Sequence, residues 1–349
     1  MPATTILAQA KVMSRTIMTE RMFDTTCIGN AIVDVISKAD DAFLKAENLT
    51  KSAMTLIDME RAEDLYAKMA AGVEMSGGSA GNTAAGIASL GGNSAYIGKV
   101  RDDQLGGIFT HDIRASGVTF ETDKSTDGAA TARCLILVTP DAHRTMNTYL
   151  GACIELGPED IDPEMIAASK VTYMEGYLWD PENGKQAFRK AAEISHDAGQ
   201  RVSLTLSDSF CVDRYRAEFR DFISGGVDIL FANEDEIKSL FETDDFDTAL
   251  DAIRGQVEIA CLTRSEKGSL IVTQSEIHAI PADTNIELVD TTGAGDLYAA
   301  GFLYGFTNGH DLATSGRIGA MAAAEVISHY GARPAVNLKD LLAQKLAVA

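Results

Sequence analysis

The stretch Asp290-Thr291-Thr292-Gly293-Ala294-Gly295-Asp296, followed by the run Leu297 to Phe306, decides how this chain is read. Ahead of it stands Ile286-Glu287-Leu288-Val289, a short run of β type. Behind it, small or apolar residues occupy every side of a helical wheel, the pattern of a buried helix. The order is strand, glycine-rich turn, buried helix. At a helix start the first N–H groups lack intrahelical acceptors and the dipole end is positive. Glycines there remove the Cβ atoms that would keep a ligand off the backbone. The stretch therefore predicts an anion cradle suited to phosphate. Asp296 is out of place beside a phosphate unless it has a task, and accepting the proton of an alcohol that attacks phosphorus is a suitable one.

An Asp near a helix start also serves as a cap. Here Asp290, Thr291 and Thr292 already offer caps upstream, so Asp296 is less needed for that job. A second glycine-rich stretch, Gly77-Gly78-Ser79-Ala80-Gly81-Asn82-Thr83-Ala84, opens a helix from about Ser79 to Leu90 that Gly91-Gly92 closes. The two stretches resemble the C-terminal and N-terminal signatures of the ribokinase-like (PfkB) kinases of carbohydrates and nucleosides. The likeness runs in the right order from about Cys27 to about Pro334. It implies ATP-dependent phosphorylation of a hydroxymethyl group, with Asp296 as base and the backbone of Gly293, Ala294, Gly295 and Asp296 as anion hole.

Length and charge bound the alternatives. The chain has 349 residues, 46% apolar and 23% charged, as an ordinary globular protein does. Its formal charge of −21 argues against nucleic acid and anionic membranes as partners. Cys27, Cys134, Cys153, Cys211 and Cys261 are widely spaced, odd in number and without a C-x-x-C pair. They read as reduced, buried thiols of a cytoplasmic protein. No run is long and apolar enough to span a bilayer. Residues 1–22 lack a signal core and read as a disordered tail or as sequence ahead of the true start, with Met13, Met18 and Met22 as candidate starts. The kinase domain is then 23–349.

Along the chain, Phe23 to Asn30 reads as the first strand. Ala53–Asp58, Ala129–Val138 and Arg144–Leu150 form candidates for a small separate sheet, and the resemblance makes this a lid with strands from about 30–60 and 125–152. Phe43 and Leu44 either wall the pocket or fill the lid core. Ala95 to Val100 is the next strand, with Lys99 and Arg101 at its end facing phosphate or solvent. From Asp160 on, helices alternate with apolar strands: Pro163–Ser169 with Val171–Glu175, Glu182–Ala198 with Val202–Leu206, Arg216–Ser224 with Ile229–Ala232. Continuous apolar strands belong to a parallel sheet covered on both faces. The expected fold is a three-layer α/β/α sandwich with a mostly parallel central sheet and a small β-sheet lid. Ala260–Thr263 adds a strand, and Val336–Ala347 a final amphipathic helix.

Site residues follow from where strands end. The resemblance gives substrate contacts to Asn30, Asp34, Gly78 and Asn82, with Asp34 accepting two sugar hydroxyls, as a carboxylate can. Tyr177 and Trp179 after the Val171–Glu175 strand could stack on a planar ring or pack as core. The resemblance places Asn233, Thr263, Gly268, His329 and Gly331 at the nucleotide. In Asn233-Glu234-Asp235-Glu236 it makes Glu236 the carboxylate that orients waters around Mg²⁺, an ion that prefers oxygen ligands and keeps its waters. Read alone, the same residues are an acidic helix start, and His329 a helix C-terminal cation. Ser265 departs from the family, which often has Gly there. Walker, dinucleotide and zinc-protease motifs are absent.

Gly29-Asn30 with Asp34, Thr205 to Phe210 and Phe231 to Glu234 are more similar to adenosine kinases than to ribokinases or fructokinases. The expected reaction is phosphorylation of the 5′-hydroxyl of adenosine by ATP, a purine-salvage step. The alternative is a small-sugar kinase of the ribose or fructose type. A silent nucleoside-binding regulator and a flavodoxin-like redox protein are rivals of other classes. The small-molecule substrate and ATP are the partners expected, in a monomer or homodimer.

Overall fold

The computed structural model describes residues 23–141, 143–283 and 286–348, so the expectation for residues 1–22 lies outside the described residues. The strands are β1 (Phe23–Ile28), β2 (Ile32–Lys38), β3 (Met54–Leu56), β4 (Gly72–Ser76), β5 (Ser94–Ile97), β6 (Thr119–Phe120), β7 (Ala132–Val138), β8 (Arg144–Tyr149), β9 (Ser169–Glu175), β10 (Arg201–Thr205), β11 (Ile229–Asn233), β12 (Ile259–Thr263), β13 (Ser269–Val272) and β14 (Ile277–Ile280). The central sheet has the order β14-β13-β12-β11-β10-β9-β1-β5-β6. Neighbours from β12 to β6 run parallel, and β13 and β14 form an antiparallel edge.

Alternation across these strands builds two cores. Leu230 and Ala232 of β11 point to one, beneath the helices Glu182–Asp197, Ser209–Gly226 and Glu234–Phe241. Ile229 and Phe231 point to the other, beneath the helices Ser79–Ser89, Gln104–Ala115, Ala294–Thr307 and Leu312–Val326. The chain is thus the α/β/α sandwich expected from its alternating elements. Trp179 belongs to the first core. It is fully buried and stacks on Phe219 at 5.0 Å between centroids, so it is not a ring platform for a ligand. The five cysteines are buried and free. Among the described residues, no helix is long and apolar enough to cross a membrane.

A second sheet has the order β3-β8-β7-β2-β4. β4 lies outside the two stretches expected to supply the lid. It is a short edge strand paired antiparallel with β2, and its Val73 is 65% exposed, so its sequence carries little apolar alternation. Leu44 is buried and Phe43 half-buried against the second core.

Ile286–Val289 is not a strand. The β13–β14 hairpin occupies the sheet edge, and this segment has no strand beside it. The N–H groups of Val289 and Asp290 donate instead to the carbonyl of Ile327, at the end of the Leu312–Val326 helix. The glycine-rich turn hangs from a helix end. That helix packs on Ala294–Thr307 backbone to backbone. A Cβ on Gly301 would lie 2.6 Å from the Ile318 carbonyl oxygen and 2.7 Å from Gly319 Cα.

Candidate active site

The turn at Gly293 has φ of +79°, and a Cβ there would lie 2.9 Å from Ala332 Cα. Left-handed backbone in so tight a contact requires glycine. The helix begins at Ala294, whose N–H donates to Thr291 O at 3.2 Å. The N–H groups of Gly295 and Asp296 have no acceptor among the described residues. A Cβ on Gly295 would meet nothing within 4 Å, so open space lies before these donors. Open N–H groups with space before them at a helix start are the geometry an anion cradle requires.

Asp296 sits in the first turn of that helix and faces the other glycine-rich stretch. Its Oδ1 accepts from Ser79 Oγ at 2.7 Å and its Oδ2 from Asn82 Nδ2 at 2.9 Å. Thr83 Oγ1 donates to the Asp296 carbonyl at 3.2 Å. Asp296 therefore does not cap its own helix. Two side chains from a helix 214 or more residues earlier in the chain aim it. Burial raises its carboxyl above the usual range, against the pull of the Ser79 and Asn82 bonds and the Arg333 charge.

The start of the Ser79–Ser89 helix is itself held. Gly78 has φ of +84°, and a Cβ there would lie 2.2 Å from the Asn30 carbonyl oxygen. Glu175, at the end of β9, accepts from Ala80 N at 2.7 Å, Asn30 N at 2.9 Å and Asn30 Nδ2 at 2.7 Å. Asn30 is thus buried and bonded to Glu175, with Oδ1 its unpartnered atom. Asn82 is likewise buried with Oδ1 unpartnered. Both amides brace the site in this structure. Burial lifts the Glu175 carboxyl to about 7 against those three bonds.

Asp34 projects from β2 of the lid sheet and is in the field of Asp296. Burial pushes its carboxyl to about 6, against the charges of Arg144 and Arg333. Arg144 opens β8 and donates to Asp290 Oδ2 in a buried ion pair. Asp290 also accepts from Thr292 N, Thr292 Oγ1 and Gly331 N. Lid, turn and the loop after the Leu312–Val326 helix meet on this one carboxylate.

Tyr177 is 40% exposed, and its hydroxyl lies in the field of Asp208, Asp296, Glu236 and Glu175. Asn233 and Glu236 make a reciprocal capping box: Asn233 Oδ1 accepts from Asp235 N and Glu236 N, while Glu236 accepts from Asn233 N and Nδ2. Glu236 is buried, which lifts its carboxyl to about 7. Among the described residues, no three His, Cys, Asp or Glu side chains are grouped to hold a metal ion. Thr263 ends β12 opposite Asn233, and Gly268 lies in the β12–β13 turn. Ser265 in that turn takes φ of +51°, a left-handed conformation in which glycine costs less. His329 Nε2 lies 3.2 Å from Glu325 Oε1, which also accepts from Ala335 N at 2.9 Å and Val336 N at 3.2 Å, ordering the loop at the helix C-terminus. Lys99 is bonded to Asp160, and Arg101 to the Gly128 carbonyl, so neither is a free cation at phosphate.

Four groups that matter here went unread in the sequence: Ser79, Glu175, Arg144 and Arg333. Glu175 had a signal, a carboxylate closing an apolar strand just before a glycine. Arg144 and Arg333 had none, because each acts through partners remote in sequence.

The fold and this arrangement, a large mostly parallel sheet with a second small sheet and open N–H groups at a helix start, define a class, a kinase. Residues 25–339 match the family described as pfkB family carbohydrate kinase, so the chain belongs to that family and is a phosphotransferase. It is similar to the crystal structure of a probable sugar kinase protein from Rhizobium etli, at 54% identity and a TM-score of 0.86, over 93% of this chain and 98% of that one. It is equally similar to that of adenosine kinase from Sinorhizobium meliloti, at 54% and 0.86, over 93% and 100%. A nucleoside kinase of Methanocaldococcus jannaschii is 26% identical over 93% of this chain and 97% of its own length.

Proposed function

We propose that the chain transfers the γ-phosphoryl group of ATP to the 5′-hydroxyl of a nucleoside, adenosine first, with Asp296 as general base. One observation carries this reading: Asp296 is held on both oxygens by Ser79 and Asn82 beside the free N–H groups of Gly295 and Asp296. The acceptor hydroxyl would lie between that carboxylate and the phosphorus. Asp296 takes the proton, the helix-mouth N–H groups hold the growing oxygen charge, and Asp34 accepts sugar hydroxyls. Covering by the lid sheet excludes water. Positioning and electrostatics supply most of the acceleration, since phosphoryl transfer asks little covalent work of a protein.

The donor set fits Mg²⁺ that arrives on the triphosphate and keeps its waters, because the described residues offer isolated carboxylates and no cage among them. Glu236 would hold those waters, and the ion would supply charge neutralisation on the phosphates. Thr263, Gly268, Gly331 and the loop of His329 line the proposed nucleotide side, with Asn233 fixing Glu236.

Support for a nucleoside comes from the similarity to the S. meliloti adenosine kinase and from Tyr177, an accessible ring at the strand ends. A small sugar is the second reading, favoured by the equal similarity to a probable sugar kinase. A thermal-shift screen with adenosine, inosine, ribose and fructose, followed by ADP release with ATP and Mg²⁺, decides between them. The expected result is a shift and turnover with adenosine. A response to a bare sugar alone overturns the nucleoside reading.

A further inference from the structure

Arg333 follows Gly331 and Ala332 in the loop after the Leu312–Val326 helix, and its guanidinium is inserted between the lid and the catalytic helices. Its Nη2 donates to the Ser76 carbonyl at 2.9 Å and to Ser76 Oγ at 3.0 Å, at the end of β4. It also lies 3.7 Å from where a Cβ of Gly81 would stand. Its Nε and Nη1 are buried and have no hydrogen-bond partner. A guanidinium carries five donors in a fixed fork, and leaving two nitrogens bare in the interior is costly. Such a cost points to a task for the charge itself.

The surroundings identify the task. The nearest carboxylate in influence is Asp112, on the Gln104–Ala115 helix, which is already engaged by Ser76 N at 2.8 Å and Ser76 Oγ at 2.6 Å. Next come Asp34 from β2 and Asp296 from the Ala294–Thr307 helix, then the Tyr96 hydroxyl from β5. No ion pair ties Arg333 to any of them at contact distance among the described residues. Geometry sets this buried cation between the two carboxylates: a Cβ on Gly77, next to the Ser76 that Arg333 bonds, would lie 2.4 Å from Asp34 Oδ2, and Gly81 belongs to the helix whose Ser79 and Asn82 hold Asp296.

We propose that Arg333 is a positioning residue for phosphoryl transfer, its buried positive charge keeping Asp34 and Asp296 ionised together within the same cleft. This rests on the reading of Asp296 as base and Asp34 as sugar ligand. Two like charges in a shared, partly dry site raise each other's proton affinity. Asp296 faces Ser79 and Asn82 from one helix, Tyr173 and Glu175 from β9, Tyr177 beyond it, and Asp34. Asp34 faces Arg144 and Cys134 as well. Among these, Arg144 and Arg333 are the cations, and Arg144 is bonded to Asp290. Arg333 opposes the upward shift of both Asp34 and Asp296. Its contribution is therefore felt at the acid side of the pH profile: a protonated Asp296 cannot take the hydroxyl proton, and a protonated Asp34 accepts fewer sugar hydroxyls.

The test compares Arg333→Gln, Arg333→Met and Arg333→Lys with the unaltered chain, reading kcat and KM for the acceptor from pH 5.5 to 9, with Tm recorded for each. The neutral variants should move the acid limb of kcat/KM upward by roughly one pH unit, so that activity at pH 6 falls about tenfold while activity at pH 8.5 changes little. The shift should be seen in both kcat, through Asp296, and KM, through Asp34. Arg333→Lys should restore the limb toward its original place. An unmoved limb with uniform loss at every pH overturns the proposal and leaves Arg333 as scaffold, as does failure of both neutral variants to fold. Absence of ADP release by the unaltered chain with every acceptor overturns the kinase assignment of Asp296 first, and this inference with it.

Discussion

Asp296→Asn keeps the shape of the side chain and its acceptor for Ser79, and removes the charge that would take the proton in the proposed transfer. The variant should fold with an unchanged Tm and lose about 10²–10⁴-fold in kcat, the usual share of a general base. Steady-state ADP release checks this, and near-normal turnover would remove Asp296 from its role. The heptapeptide made that residue legible because a carboxylate in an anion cradle is chemically conspicuous. Its holders were not legible: Asn82 reads as a substrate contact in a sequence, yet it donates to Asp296 from more than two hundred residues away. Trp179 stayed open between stacking and core packing for a similar reason. An aromatic at a strand end looks the same whether its ring turns to the cleft or to Phe219, and only packing decides.

Between elements, the pair of helices Ala294–Thr307 and Leu312–Val326 fixes where the cradle sits. Their contact is made at Gly301, Gly305 and Gly319, where side chains would separate the axes. Gly301→Ala should improve local helix propensity yet force a methyl to within 2.6 Å of the Ile318 carbonyl oxygen. Overpacking should win, costing about 1–3 kcal/mol. A lower urea midpoint with an unchanged m-value is the expected signature, and an unchanged or higher midpoint would mean that the helices part freely. Helices and parallel strands were legible from their apolar periodicity. The segment Ile286–Val289 was not, since a β-type run becomes a strand only beside another strand, and here the β13–β14 hairpin holds the edge. β4 escaped notice because an exposed edge strand has no face that must be apolar.

For the molecule as a whole, charge governs how stability follows pH. Asp34 near 6, and Glu175 and Glu236 near 7, all lie above their ordinary values. A carboxyl whose folded pKa is raised binds more protons folded than unfolded, so its ionisation opposes folding and the penalty lifts as pH falls through that value. The net charge of −21 acts in the same direction. Tm should therefore rise by roughly a few degrees from pH 8 to pH 6 and rise again with added NaCl at pH 8. Calorimetry in a buffer series checks this, and a falling Tm over that window would contradict it. The Arg144–Asp290 pair extends such reasoning to time. If the small sheet swings outward, Asp290 would lose its cation while still gripping Thr292 and Gly331, and the turn would slacken with it. Deuterium uptake at those two amides should then keep step with hinge motion and slow together when an acceptor is bound. Independent rates at the two positions would show that cover and cradle move separately. A nucleotide arriving before its acceptor would meet a slack cradle, and water would find little there to attack.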